Sequence, residues 1–289
     1  MKLTSPSNVR AILQELDISP DRFHGQNFLI DLNILELIVS AAELNSEDHV
    51  LEIGPGLGVL TEQLAAKATS VTAVEIDRRL YEYVGRRLAG LKNLNLICAD
   101  VLDVELAPIL KGGNCKVVAN LPYSIAGRVL VDLAMERNPP SAIIATVQFE
   151  VATRLAAVAG DRNNGALSIW MQSVYEVSVR KTISPTCFWP RPKVKSAVVV
   201  MKRRGVNPCA PEDRQFFHVL VKQAFMHRRK QLASILAKSC GDFSIPSAQG
   251  VKILKSLGLD PCARPEDLGT DDWCRLAKSL SETLSRKAN

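Results

Sequence analysis

Between Val50 and Val147 short apolar runs alternate with amphipathic stretches, and this alternation constrains the fold more than any other feature of the chain. It predicts strands at 50–53, 70–75, 94–98, 115–119 and 142–147, with helices at 59–67, 78–88 and 126–136. Strands separated by helices pair in parallel, with both sheet faces covered and right-handed crossovers. Ligands of such sheets sit beyond the carboxyl ends of the strands. Upstream, helices are expected at 7–16 and 31–44, the second capped by Asp31. After residue 147 the alternation stops. Residues 169–180 and 194–202 read as two long strands with no helix between them, suited to an antiparallel hairpin at the sheet edge. Helices follow at 214–225, 230–239, 247–257 and 271–284, punctuated by Gly258, Pro261 and Pro265. The predicted division is an α/β domain at 1–205 and a small all-helical domain at 206–289.

Composition narrows the class. Hydrophobic residues make up 47% and charged residues 23% of the 289, which excludes a disordered or collagen-like chain. No apolar run approaches the roughly 18–20 residues that a membrane helix needs. The longest, 33–44, is broken by Glu36 and Glu43, and the first residues lack the apolar stretch of a signal peptide. A soluble, cytoplasmic protein is expected. The seven cysteines are odd in number, and no two stand at CxxC spacing, so neither a disulfide framework nor a zinc site is expected. His24, His49, His218 and His227 do not cluster with them, and no metal is expected.

The net charge of +6 is unevenly spread. Residues 180–204 hold eight basic side chains and no acidic one, whereas residues 1–179 carry an acidic excess. An acidic body with a basic rear segment fits a small ligand in front and a polyanion nearby; the bland alternative is a solvated basic face.

Two loops carry the candidate chemistry. Gly54-Pro55-Gly56-Leu57-Gly58 follows the first strand of the alternation and opens a helix, so backbone can approach a ligand whose negative group faces a helix N-terminus. Its spacing is G-x-G-x-G. A dinucleotide fingerprint needs the third glycine where this chain has Val59. Glu75, 21 positions after Gly54, ends the next strand, where a carboxylate can accept from both hydroxyls of a ribose. Asp100 ends the third and can accept from an adenine amino group. Together these favour a nucleoside-containing cofactor, S-adenosylmethionine ahead of NAD. Asn120-Leu121-Pro122-Tyr123 ends the fourth strand. An amide, a proline-fixed backbone and an aromatic ring suit a planar amine, with the Asn120 carbonyl and a carbonyl near Leu121 accepting its N–H groups. The competing reading is a strand stop with a core tyrosine.

At this point a resemblance emerges. Asn120-Leu121-Pro122-Tyr123 resembles the catalytic motif of the rRNA adenine N6-dimethyltransferase family. His24-Gly25-Gln26-Asn27-Phe28-Leu29-Ile30-Asp31 is similar to its N-terminal signature, and the run from Phe188 to Val198 to its F-x-P-x-P-x-V-x-S segment. Gln223 to Lys230 is similar to its C-terminal helical motif. The motifs span nearly the whole chain in the family's order. The nearest resemblance is to the KsgA type, which dimethylates two adjacent adenines near the 3′ end of small-subunit (16S) rRNA. The macrolide-resistance enzymes, which modify large-subunit rRNA, come second.

The resemblance implies a class I S-adenosylmethionine-dependent methyltransferase fold, Rossmann-like with a mostly parallel sheet, joined to a helical C-terminal domain. It implies cofactor contacts at Asn27, Leu29, Gly54, Gly56, Glu75, Asp100 and Asn120, with catalysis by Asn120, Leu121, Pro122 and Tyr123. Phe188 is the expected second aromatic against the target base. Stacking needs a ring but no hydroxyl, so Tyr123 should tolerate phenylalanine. Arg191, Lys193, Arg228, Arg229 and Lys230 are the expected RNA contacts, and the implied partners are small-subunit rRNA and the pre-ribosomal small subunit, met by a monomer. Members often carry Lys in place of Phe149, Asp in place of Lys195 and Tyr-Gly-Arg in place of Asn164-Gly165-Ala166; these departures bear on RNA contacts rather than on the chemistry. Two other classes compete: an NAD-dependent oxidoreductase, disfavoured by the Asn-Leu-Pro-Tyr loop, and a non-catalytic assembly or transcription factor, disfavoured by intact Glu75, Asp100 and Asn120.

Overall fold

The computed structural model describes residues 3–19, 27–110, 113–206, 208–209, 214–238 and 245–288. His24, Gly25 and Gln26 of the N-terminal signature and Cys240 lie outside the described residues. Two compact units are present, one made of 1–152 and 177–203, the other of 153–176 and 204–289.

The first unit opens with α1 (Pro6–Glu15), β1 (Phe28–Leu29) and α2 (Leu32–Ala41). Asp31 caps α2 as its sequence position predicts, accepting from the Asn33 and Ile34 N–H groups. The expected alternation follows: β2 (His49–Ile53), α3 (Val59–Ala65), β3 (Ser70–Glu75), α4 (Arg78–Arg87), β4 (Leu94–Cys98), β5 (Cys115–Asn120), α5 (Ala126–Met135) and β6 (Ala142–Gln148). α6 (Phe149–Leu155) and α7 (Ala166–Gln172) come next, then β7 (Tyr175–Ile183), β8 (Phe188–Trp189) and β9 (Ser196–Arg203).

The seven-stranded sheet runs β4-β3-β2-β5-β6-β9-β7. β2, β3, β4, β5 and β6 pair in parallel, and β9 is antiparallel to β6. Chain order reverses between β2 and β5. The crevice beyond their carboxyl ends is therefore the place for a ligand. The core on one side of the sheet joins Val50, Val71, Val118 and Ile144 to Ile34, Leu35, Ile38 and Leu64 of α2 and α3.

The region after β6 departs from the sequence reading. The run expected as a strand from 169 begins inside α7, and the strand starts only at Tyr175. Ile169 is buried in a core shared with Phe217, Leu220, Trp273 and Leu276, which a helical face reaches and an edge strand does not. For the same reason 153–176 belongs with the C-terminal helices, so the expected single boundary at 205 becomes three crossings of the chain, at 152/153, 176/177 and 203/204. That second unit adds α8 (Arg214–Met226), α9 (Leu232–Lys238), α10 (Ser247–Ser256) and α11 (Thr270–Ala288). Asn164 is buried in it and donates to the Glu266 and Leu268 carbonyls at 2.9 and 3.1 Å, so this departure from the family pattern is a structural anchor here.

Candidate functional site

A cavity of about 440 Å³ opens at the reversal point of the sheet, within the first unit. That size lies in the roughly 300–1,000 Å³ range of small-molecule sites. Asn27, Leu29, Gly54, Gly56, Glu75, Asp100, Asn120 and Pro122 all border it, so every predicted cofactor residue is brought to one place.

The glycine loop closes the base. Gly54 and Gly56 have positive φ (71° and 58°), a region costly for residues with a Cβ. A Cβ on Gly56 would stand 3.2 Å from the Phe28 ring, so any side chain there would have to push the N-terminal signature away from the loop. Glu75 fixes the same loop from the next strand. Its Oε2 accepts from the Gly56 N–H at 3.1 Å and its Oε1 from the Asp77 N–H at 3.0 Å. Each oxygen keeps a further lone pair for a ligand hydroxyl. Burial pushes the Glu75 carboxyl above the usual carboxylate range, against those backbone N–H groups. Asp100 accepts from the Leu102 N–H at 2.9 Å, which starts a helical turn and holds the carboxylate at the rim.

Glu52 was not singled out as a site residue in the sequence. It is 1% exposed, borders the cavity, and its Oε2 has no hydrogen-bond partner among the described residues. Burial pushes its carboxyl up to about 8, opposed by the Thr61 hydroxyl and reinforced by the Glu75 charge. The available signal was a lone acid inside the apolar strand Val50-Leu51-Glu52-Ile53. Ile76, half exposed at the mouth, and Leu3, Phe28 and Leu80 in the wall were missed for the opposite reason: apolar residues give no pattern distinct from core.

The Asn120 loop forms the facing wall. Asn120 Nδ2 donates to the Asn27 carbonyl at 2.8 Å, which leaves Oδ1 as the free acceptor of the amide. Reversing the amide would set two oxygens against each other. The Pro122 carbonyl is taken by the Ile125 and Ala126 N–H groups at 3.2 and 3.1 Å, which directs attention to the Leu121 carbonyl as a main-chain acceptor. The Leu121 side chain is buried beneath the loop. Tyr123 is half-buried, and its hydroxyl is 2.5 Å from the Ser196 hydroxyl. The ring is therefore held through the very group that the sequence reading treated as dispensable.

Phe188 departs from expectation. It is 1% exposed and packs with Ile34, Ile183 and Val198, and it does not border the cavity. Its strand partner is Leu29, so the Phe-Trp-Pro segment buttresses the N-terminal signature. Arg228 also departs: it pairs with Glu266 at 3.0 Å and donates to the Arg162 carbonyl, a bond within its own unit. Arg191, Lys193, Arg229 and Lys230 are exposed. The departures at Phe149 and Lys195 are one local feature, since the Phe149 N–H donates to the Lys195 carbonyl at 2.9 Å. Among the described residues no group of three or more His, Cys, Asp or Glu could hold a metal, and no helix is long and apolar enough to cross a membrane.

The profile of the ribosomal RNA adenine dimethylase family matches residues 19–282. The chain belongs to this family. Among the curated relatives, the Ribosomal RNA small subunit methyltransferase A of Pediococcus pentosaceus is 38% identical over 293 residues, covering 99% of each chain. The protein of the same name from Ligilactobacillus salivarius is 36% identical over 284 residues, covering 96% of each. Of solved structures, a dimethyladenosine transferase from Plasmodium falciparum superposes with a TM-score of 0.74 at 24% identity, over 88% of this chain and 98% of that one. The 23S rRNA methyltransferase ErmE gives 0.68 at 26%, over 88% and 100%. The family member described here is thus a class I methyltransferase in fold, with a helical C-terminal part.

Proposed function

We propose that this adenine dimethylase transfers methyl groups from S-adenosylmethionine to N6 of two adjacent adenines in a loop near the 3′ end of small-subunit (16S) rRNA, in the course of small-subunit assembly. The name shared by relatives matched over nearly their whole length supports the small-subunit target over the large-subunit one. The observation that carries the chemistry is the Asn120 amide, fixed by the Asn27 carbonyl with its oxygen left free beside the cavity. The cavity residues fit the cofactor: Glu75 for ribose hydroxyls, Asp100 for the adenine amino group, the glycine loop for close backbone approach, and the free Oε2 of Glu52 for a ligand bearing positive charge. When bound, the cofactor supplies an electrophilic methyl on a sulfonium.

The chain's own work is on the amine. The N6 lone pair is delocalised into the purine ring, which makes it a poor nucleophile. Accepting its N–H groups at Asn120 Oδ1 and the Leu121 carbonyl draws the nitrogen toward tetrahedral geometry and stabilises the positive charge that develops on it. Tyr123 does not itself border the cavity, but it follows Pro122, which does, and it is assigned to the face of the base, which has to leave its stack to arrive there. Holding amine and methyl donor in line supplies much of the remaining rate. Incubating the protein with labelled cofactor and a mixture of small- and large-subunit particles, then mapping both RNAs by mass spectrometry, tests the proposal. Two dimethyladenosines near the 3′ end are expected, and label in large-subunit rRNA alone would refute the target.

Two further results are expected. Glu75→Ala should weaken cofactor binding by about 1.5–3 kcal/mol, because a charge-assisted pair of bonds is lost together with the Gly56 N–H anchor. Calorimetry showing unchanged affinity would remove Glu75 from the ribose role. RNA phosphates are assigned to Arg191, Lys193, Arg229 and Lys230. Replacing Arg229 and Lys230 with alanine should flatten the slope of log affinity against log salt by up to about 0.7 per lost contact on single-stranded RNA. Arg228→Ala alone should change it less, since Glu266 already holds that charge.

A further inference from the structure

We propose that Ser196 is a positioning residue for Tyr123, so that the start of β9 sets the plane of the ring that meets the substrate base. The proposal rests on the reading of Tyr123 as the residue against the adenine.

Ser196 is 0% exposed, yet it carries a hydroxyl, and that hydroxyl meets the Tyr123 hydroxyl at 2.5 Å. Its place in the sheet explains why a tyrosine is needed. Tyr123 follows the end of β5, while Ser196 opens β9, with β6 between them in strand order. Two strand spacings are roughly 9–10 Å. Of the aromatic side chains with a single polar tip, tyrosine best combines that reach with a hydroxyl at its end.

The far end of the bridge is rigid. Ser196 pairs with Gln148 in the β6–β9 ladder, and the Lys195 carbonyl before it accepts the Phe149 N–H at 2.9 Å. The near end is a loop with less regular support: Ile125 and Ala126 bond to Pro122, but Tyr123 lies within that turn. The hydroxyl pair therefore ties a turn to a strand and limits how far the ring can swing. A stacked base depends on ring orientation as well as ring presence, so the bond acts on the rate of transfer rather than on cofactor affinity. It also gives the serine at the end of the F-x-P-x-P-x-V-x-S segment a task in the reaction, distinct from that of the buried Phe188 eight residues earlier.

The test uses the full-length protein and four variants: Tyr123→Phe, Ser196→Ala, the two combined, and Ser196→Thr, with Tyr123→Ala as reference. Single-turnover methylation of small-subunit particles and calorimetric cofactor titration are measured on each. Tyr123→Phe and Ser196→Ala should each slow transfer about 3- to 10-fold, the loss expected of one hydrogen bond, with unchanged cofactor affinity. The double variant should be no slower than either single one, because both remove the same bond. Ser196→Thr should restore most of the rate. Losses that multiply in the double variant would overturn the proposal, as would native rates for Tyr123→Phe, which removes the bond without touching the buried strand. Native rates for Ser196→Ala beside a slow Tyr123→Ala would overturn the proposal alone. A native rate for Tyr123→Ala would overturn the placement of Tyr123 at the base, and the role of Ser196 with it.

Discussion

Asn120→Ala is expected to slow methyl transfer about 10²-fold or more while weakening cofactor binding less than about tenfold. The two magnitudes have separate origins. The rate loss follows from removing an acceptor whose bond strengthens as charge develops on N6, and a single preorganised group of this kind is worth about 10²–10³ in rate. The smaller loss follows from the Asn27 carbonyl, which is left without the Asn120 N–H it now accepts; one neutral hydrogen bond is worth about 0.5–1.5 kcal/mol. Asn120→Asp separates the two roles. It keeps the acceptor and the volume but turns an oxygen toward the Asn27 carbonyl, so it should disturb the N-terminal signature more than alanine does. Single-turnover rates and cofactor titrations on both variants decide the matter. A near-native rate for Asn120→Ala would remove the amide from the reaction.

The parts of this fold that were legible in the sequence are those whose boundaries are set locally. Strands 70–75 and 94–98 coincide with β3 and β4 because Asp77 and Asp100 sit where the chain must turn, and their carboxylates cap the helical turns after those strands. The cofactor wall was legible for a related reason: in an alternating α/β sheet the strand ends converge, so Gly54, Glu75, Asp100 and Asn120 had to meet. What failed was what packing decides. Ile169-Trp170-Met171 has the composition of a strand, yet burial against Phe217 and Leu276 makes it helical. β1 and β8 are two residues each and exist only because they pair with one another. The motif carrying Phe188 was visible, but a motif does not say which of its residues face a substrate. The charge of Arg228 was visible as well; its partner Glu266 is 38 residues away in the chain.

The buried Glu52 carboxyl is a cost that the site places on the fold, and that cost should appear as pH-dependent stability in the cofactor-free protein. The carboxyl ionises at an ordinary value of 4.5 in the unfolded chain and at about 8 in the folded one, because burial disfavours the charged form. Below pH 4.5 both states hold the proton, and Glu52 adds no pH dependence. Between that value and about 8 the folded state holds a proton that the unfolded chain has released, so rising pH favours unfolding by up to about 1.4 kcal/mol per pH unit. Above about 8 both states are ionised and the penalty is complete. Glu75, raised in the same direction, adds to the slope. Glu52→Gln keeps the shape and removes the titration. The variant should therefore be close to native in stability at pH 5 and more stable by a margin that widens toward pH 8. Denaturant unfolding of both proteins at several pH values measures the difference. Parallel stability curves from pH 5 to 8 would show that Glu52 is already ionised in the folded protein, with a partner for its free oxygen.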